Sequence, residues 1–303
     1  MSVGLRKALG VLIAALGVLL AVYLIAAWYI VGQGLIAEAN PIEHTPADRG
    51  VAYEEVSFSP RGWEEVTLRG WWLQAPEPAP TIVWLHGLDS NKGSRIDVVA
   101  GLRGAGFNVL AFDFRGHGES DKVAMGASIH EQGDLLGAID WLERERGVSI
   151  DRVGLLGLSY GGAVAMLTAA REPRLRAIMA DSAYASLTEL MTGEVADRTS
   201  APEPIVTALT PGILLAARAS RGLSLNDAEP LAAAAALDFP IALVHCRGDE
   251  RVPPEHSRRI HDVARQASTL AIIDDCEHGR ASEAEGAGYV ERAAAYFRDR
   301  LGE

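Results

Sequence analysis

The chain has two cysteines, few aromatic residues and almost no lysine. Lys and Arg form no basic patch, and no Cys/His spacing matches a zinc module. With a formal net charge of −12, these absences argue against nucleic acid as a partner and against structural zinc as a staple. The scarcity of lysine beside abundant alanine and arginine reads as genomic bias, not mechanism. There is no internal repeat and no low-complexity segment, which excludes a solenoid or a disordered chain. The run Leu231–Leu237 is alanine-rich, helix-prone and needs no special role. The 303 residues, 49% of them apolar, suffice for one sizeable core once a tail is set aside.

Charge is missing altogether from Ala8 to Ile30. As a helix these residues would rise about 35 Å, enough for a hydrocarbon core of about 30 Å. Trp28 and Tyr29 lie near the far end, where aromatic rings favour the membrane interface. A cleaved signal peptide is the competing reading, with Ala37-Glu38-Ala39 as its small-residue site. Signal apolar regions usually run only about 7–15 residues, which favours an uncleaved anchor. Arg6 and Lys7 precede the span, and the next basic residue is Arg49. The positive-inside rule then leaves the N-terminus in the cytoplasm and the rest extracytoplasmic, in a single-pass membrane protein. The expected organisation is a cytoplasmic end at 1–7, an anchor at 8–31, a linker at 32–50 and one domain at 51–303.

That domain opens with two strand-like runs, Val51–Phe58 and Val66–Leu73, separated by the turn Ser59-Pro60-Arg61-Gly62. They read as an antiparallel hairpin. Short apolar runs follow at 81–85, 108–112, 152–156, 177–180, 241–244 and 270–273. Helical stretches separate them, such as 129–144 and 256–266, and a last helix covers roughly 289–301. Buried strands alternating with helices predict an α/β fold, a mostly parallel sheet covered on both faces. Between Asp181 and Phe239 no clear strand occurs. Short helices at 188–196, 205–217 and 230–236 suggest a small helical cap, an insertion at about 182–238; simple helical padding is the other reading.

Within Gly157-Leu158-Ser159-Tyr160-Gly161-Gly162 a strand runs into a helix through G-x-S-x-G. Such a turn is tight enough to strain the serine and hold its Oγ exposed at the top of a sheet. The amide of Tyr160, at the helix start, points where an oxyanion would form. A serine hydroxyl needs a base, and the base an orienting acid. Asp249 stands just past one strand end and His278 just past the next, in the chain order serine, acid, histidine. Asp275 and Glu277 are rival acids, but both precede His278 too closely to reach its ring from behind; Glu250 is less well placed. His44, His130, His256 and His261 read as ordinary polar residues, and His245 as a hydrogen-bonded core histidine. The second oxyanion donor falls to the Leu88 amide, in the loop after 81–85, where Gly87 lets the backbone turn closely. In the loop from Asp113 to Ser120, Asp113 and Arg115 read as a buried pair bracing the elbow.

His86-Gly87, Asp113-x-Arg115-Gly116-x-Gly118-x-Ser120, Gly157-x-Ser159-x-Gly161-Gly162, Gly248-Asp249-x-x-Val252-Pro253 and His278-Gly279 together resemble the α/β-hydrolase superfamily, from about Val51 to the C-terminus. The likeness is nearest to membrane-anchored single-pass α/β-hydrolase-domain proteins, with monoacylglycerol lipases and serine aminopeptidases as wider relatives. It implies an eight-stranded sheet, a Ser159–Asp249–His278 triad, acyl transfer to water and no cofactor or metal. A serine at the elbow argues against the dehalogenases and epoxide hydrolases of this fold, which use a carboxylate there. The substrate class stays open. An anchor near lipid favours a small-molecule or lipid ester. A peptidase would instead need an acidic grip on an amino terminus, for which Glu189, Glu194 and Asp197 are candidates. A non-catalytic binding protein of the same fold is the reading from another class.

The family's strand order makes the strands ending near Cys246 and Cys276 neighbours. Paired strands lie about 4.8 Å apart, within disulfide reach. A bridge, or two unpaired buried cysteines acting as small apolar groups, are both compatible with that placement.

Overall fold

The computed structural model describes residues 3–38, 40–76, 78–199, 202–265 and 267–302, and leaves out the side chains of 194–199 and 203. It divides into two compact units: Met1–Leu35 with Thr188–Asn226, and Ile36–Leu187 with Asp227–Glu303.

In the larger unit the described strands form one sheet. In chain order they are β1 (Glu54–Phe58), β2 (Leu68–Leu73), β3 (Thr81–Leu85), β4 (Asn108–Phe112), β5 (Val153–Leu158), β6 (Ile178–Asp181), β7 (Ala242–Cys246) and β8 (Thr269–Ile273). Their spatial order is β1-β2-β4-β3-β5-β6-β7-β8. The β1–β2 and β2–β4 pairs are antiparallel and every other pair is parallel. Strands β3, β4 and β5 are buried along their whole length, which is why they read as unbroken apolar runs without alternation. The hairpin is as expected, with shorter strands: the N-terminal residues of both runs are outside the ladder.

The helices of this unit are α2 (Ile96–Gly104), α3 (Glu131–Arg146), α4 (Tyr160–Ala169), α7 (Pro230–Ala236), α8 (Glu255–Val263), α9 (Ala281–Glu285) and α10 (Ala287–Leu301). Helix α4 is buried throughout, its small residues letting it lie close to the sheet. From β3 the chain steps to β4 on one side, and from β5 it steps to β6, β7 and β8 on the other, so the loops after β3 and β5 lie side by side where the order reverses. In open α/β sheets that is where a ligand site forms, at the carboxyl ends of the strands.

The other unit contains α1 (Val3–Gly34), α5 (Leu187–Thr199, from its second residue) and α6 (Glu203–Arg221). Helix α1 is long and apolar enough to cross a membrane. The insertion read at 182–238 is therefore divided, since α7 belongs with the sheet. Residues 36–50 are not a free linker either. The Glu38 amide donates to Asp89 at 2.8 Å, the Asn91 amide group donates to the carbonyls of Asn40 and Pro41, and Arg49 pairs with Asp97. Pro46–Arg49 wind into a short 3-10 helix, and backbone groups before it find partners elsewhere in the sheet unit.

Candidate active site

Ser159 joins β5 to α4 with φ 51° and ψ −109°, a region that costs an L-residue about 1–3 kcal/mol. The neighbours over-determine it. Its amide donates to the Asp181 carbonyl at 2.7 Å, and its carbonyl accepts the Ala163 amide at 3.1 Å. A Cβ at Gly161 would stand 2.2 Å from the Leu85 carbonyl oxygen, and one at Gly157 2.4 Å from the Gly161 backbone. Only glycine at both positions lets α4 start this close to β3 and β5.

Three side chains from three strand ends meet here. The Ser159 Oγ lies 3.0 Å from His278 Nε2, and His278 Nδ1 lies 2.7 Å from Asp249 Oδ2. Asp249 also accepts the Val252 amide at 2.8 Å. Rival acids are excluded by position: Glu250, Asp275 and Glu277 are exposed. The sequence pairing of serine, acid and base is thus the one the fold assembles.

Asp249 has a second imidazole that sequence reading treated as ordinary core. His245 Nε2 lies 3.1 Å from the same Oδ2 and 2.7 Å from the Val252 carbonyl. Both neighbours only accept, so Nε2 bears the proton and Nδ1 accepts from the Ser257 hydroxyl at 2.6 Å. Burial works to raise the Asp249 pKa; the hydrogen bonds from His245 and His278 outweigh it and hold the carboxyl well below its ordinary value. Asp249 is therefore charged and aligned before any imidazolium forms.

The loop after β3 shows how an amide is aimed. Phe114 N–H donates to His86 Nε2 at 3.0 Å, so the His86 proton is on Nδ1, donated to the Gly87 carbonyl at 2.7 Å. In a planar trans peptide the next N–H, that of Leu88, points the opposite way. Burial pushes His86 down to about 3, keeping the ring neutral for this task. Among the described residues no hydrogen bond takes up the amides of Leu88 or Tyr160. A Cβ on Gly87 would make only ordinary contacts, 3.7 Å from the Leu158 carbonyl and 3.8 Å from Ser159 Cβ. The glycine is thus not forced by the turn; it leaves space above Ser159.

Tyr160 is anchored through its side chain. Its hydroxyl accepts the Ser128 amide at 2.7 Å, and Ser128 Oγ lies 2.6 Å from the Tyr184 hydroxyl. His278 is held through its neighbour. The Gly279 carbonyl accepts from the Arg95 guanidinium at 2.9 and 3.0 Å, and its amide donates to Ser182 Oγ at 3.3 Å. Ser182 in turn donates to Asp181, which also accepts from the Tyr289 hydroxyl. None of these braces had a sequence signal, because each joins residues far apart in the chain.

The expected Asp113–Arg115 pair is not formed. Asp113 binds Lys92, whose Nζ lies 2.7 Å away and whose amide donates at 2.6 Å. Arg115 binds Asp134, at 2.9 and 2.6 Å. Each charge is fully buried and needs a partner, and each finds it on another segment of the chain. Cys246 and Cys276 are joined in a disulfide with Cα atoms 5.2 Å apart. The bridge ties the end of β7, three residues before Asp249, to the loop two residues before His278.

A family model described as X-Pro dipeptidyl-peptidase (S15 family) matches residues 44–207. The uncharacterised protein YfhR of Escherichia coli is 25% identical over 238 residues, 74% of this chain and 73% of that protein. Protein bem46 of Schizosaccharomyces pombe is 27% identical over 152 residues, covering 48% of this chain and 50% of its own. Among solved structures, the Pyrococcus furiosus esterase Pf2001 superposes with a TM-score of 0.71 at 22% identity, over 88% of this chain and 98% of that one. The alpha/beta hydrolase GrgF from a Penicillium superposes with a TM-score of 0.65 at 18% identity, over 84% and 100%. At such identities the two structures establish the fold, an α/β-hydrolase.

Proposed function

The chain belongs to the X-Pro dipeptidyl-peptidase (S15) family of hydrolases, and on that premise we propose that it is a membrane-anchored serine hydrolase of ester bonds. The observation that carries this reading is the unbroken line Ser159–His278–Asp249, at 3.0 and 2.7 Å. His278 Nε2 takes the Ser159 proton as Oγ attacks the carbonyl. Asp249 keeps the His278 proton on Nδ1 and stabilises the imidazolium that forms. The amides of Leu88 and Tyr160 bind the oxyanion; one such donor is worth about 10²–10³ in kcat. Collapse of the intermediate expels the alcohol, which leaves with the proton from His278. Water then repeats the sequence against the acyl-enzyme, with His278 as base, and releases the acid.

Helix α1 supports a membrane location, and a substrate dissolved in lipid, such as an acylglycerol, fits an enzyme tethered there. Arg6 and Lys7 before the span and the disulfide support an extracytoplasmic domain, where oxidising conditions preserve such bonds. A second reading, an aminopeptidase, is favoured by the family's description. Of its candidate acids Glu189 is in α5, while the side chains of Glu194 and Asp197 are outside the described residues.

The test uses the full chain in detergent micelles. A fluorophosphonate probe should label the protein, and Ser159→Ala should abolish labelling and lower kcat by about 10⁴-fold or more with folding intact. Full esterase activity in that variant would remove Ser159 as nucleophile. A panel of p-nitrophenyl esters against aminoacyl and Xaa-Pro anilides separates the two readings: faster turnover of the anilides would replace the esterase with the peptidase.

A further inference from the structure

Helix α6 has no charged residue from Pro204 to Ala217 and is flanked by Glu203 and Arg218. Those 14 positions would rise about 21 Å, too little to cross a hydrocarbon core of about 30 Å but typical of a segment that enters it and returns. The helix runs on through Pro211. Proline contributes no N–H and crowds the carbonyl one turn earlier, which leaves backbone polarity to be satisfied there. In water such groups are hydrated. In lipid each needs a protein partner.

A partner stands beside the proline, and it comes from α1. The Gly212 N–H donates to the Tyr23 hydroxyl oxygen at 2.7 Å. The Tyr23 proton is directed at the carbonyls of Ala208 and Leu209, at 3.3 and 3.4 Å. One phenol thus serves backbone groups on both sides of Pro211. The fit is steric as well: a Cβ on Gly212 would lie 2.6 Å from the Tyr23 ring. Farther along α1, Ala27 and Val31 continue the same stripe at four-residue spacing and are buried, while Trp28 and Tyr29 between them are about 60% exposed. Gly212 and Ala216, also four apart, are buried on α6. Small residues at this spacing are how helices approach closely in membranes.

Depth follows from position in the chain. Tyr23 lies seven residues before Ile30, so it is about 10 Å inside that end of the charge-free run. A helix bonded to Tyr23 therefore shares its depth. On α6, Ile205 and Leu215 remain exposed at 53% and 57%. The Thr210 hydroxyl is returned to the Val206 carbonyl at 3.2 Å, which removes its demand for water. Arg218 and Arg221 end the helix, placed to reach phospholipid headgroups.

We propose that α6 is a second membrane element of this protein, a re-entrant helix that enters the bilayer beside α1 and is locked to it by Tyr23, with acyl chains covering its outer apolar face. The proposal rests on the anchor reading of α1. It makes α6 lipid-immersed, so the bilayer contact is built by two distant segments and not by an N-terminal tether alone.

The experiment uses the full chain in phosphatidylcholine vesicles, with a single added cysteine labelled by an NBD fluorophore without reductant, so that the native disulfide stays closed. Leu215→Cys reports on α6 and Val18→Cys, exposed on α1, reports on the anchor. Replacing the lipid by phosphatidylcholine with brominated acyl chains should quench both probes. Quenching of the Val18 probe alone, with the Leu215 probe quenched instead by aqueous iodide, would overturn the insertion of α6 and leave the anchor standing. Loss of quenching at both positions, or a mature chain lacking Val18, would overturn the anchor and the proposal together. Tyr23→Phe keeps the ring and removes the hydroxyl. It should reduce quenching of the Leu215 probe and spare the Val18 probe; equal quenching of the Leu215 probe would overturn the lock.

Discussion

The sheet unit and the α1–α6 pair treat polar groups in opposite ways. In the sheet unit charges are brought inside and matched: Lys92 with Asp113, Arg115 with Asp134, and Asp249 with two imidazoles and an amide. Between α1 and α6 the contact is apolar and small, and a single phenol bonds the backbone on both sides of Pro211. On the membrane reading proposed above, the difference reflects the solvent each is built against. Hydrolysis needs a fixed proton path in a poorly solvated place, where an unpaired charge is strongly unfavourable and a paired one is rigid. A helix pair facing hydrocarbon gains most from having little polarity to satisfy.

The comparison breaks most readily at Asp249. Replacing it by Asn removes the charge that holds the His278 tautomer and should lower kcat on a p-nitrophenyl ester by about 10³–10⁴-fold. Asp275→Asn, at an exposed position, should leave kcat near wild type. The reverse ranking would show that the wrong carboxylate had been assigned. Neither change should alter quenching of a probe at Val18, since that belongs to the other unit.

A smaller effect is expected from Cys246→Ala with Cys276→Ala. The bridge spans 30 residues of sequence, and its loss should lower stability by about 3–4 kcal/mol through the loop entropy returned to the unfolded chain. The measurement is the urea midpoint of the sheet unit's transition in micelles. An unchanged midpoint would mean that the two loops are held by their hydrogen bonds alone.

Smaller again is a pH effect at His86. The unfolded ring takes a proton near pH 6.5, whereas burial delays this to about 3 in the folded protein. Between those values the unfolded chain binds more protons, so stability falls as pH falls. One such group contributes a slope of about 1.4 kcal/mol per pH unit. His86→Asn should flatten the dependence of stability, from urea unfolding, between pH 5.5 and 4 by that amount. An identical slope in the variant would contradict a neutral, buried His86.

Much of the site was legible because its signals are local. The elbow glycines, the serine between them and the apolar run before it are constrained by atoms within a few residues, and sterics alone select them. Asp249 and His278 could be chosen because each follows a strand-like run in an order that one fold uses. Strand ends were less exact, since β1 starts at Glu54 where the ladder begins, and nothing in the sequence marks where pairing starts. The Asp113–Arg115 expectation failed for a related reason. Proximity in sequence suggested a pair, but each side chain bonds a residue about twenty positions away.

What the sequence determined by itself is therefore the alternation of strands and helices, the strained turn at Ser159, the charge-free span and the candidate pair Asp249 and His278. These follow from periodicity, backbone sterics and residue chemistry, which act over short distances. Only the tertiary structure decided that His245 shares Asp249, that His86 turns the Leu88 amide, that Arg95 and Ser182 hold Gly279, and that Tyr23 meets Gly212. Each of these joins groups brought together by strand order or helix packing, and a hydrogen bond acts only within about 3 Å, a distance that no spacing along the chain encodes.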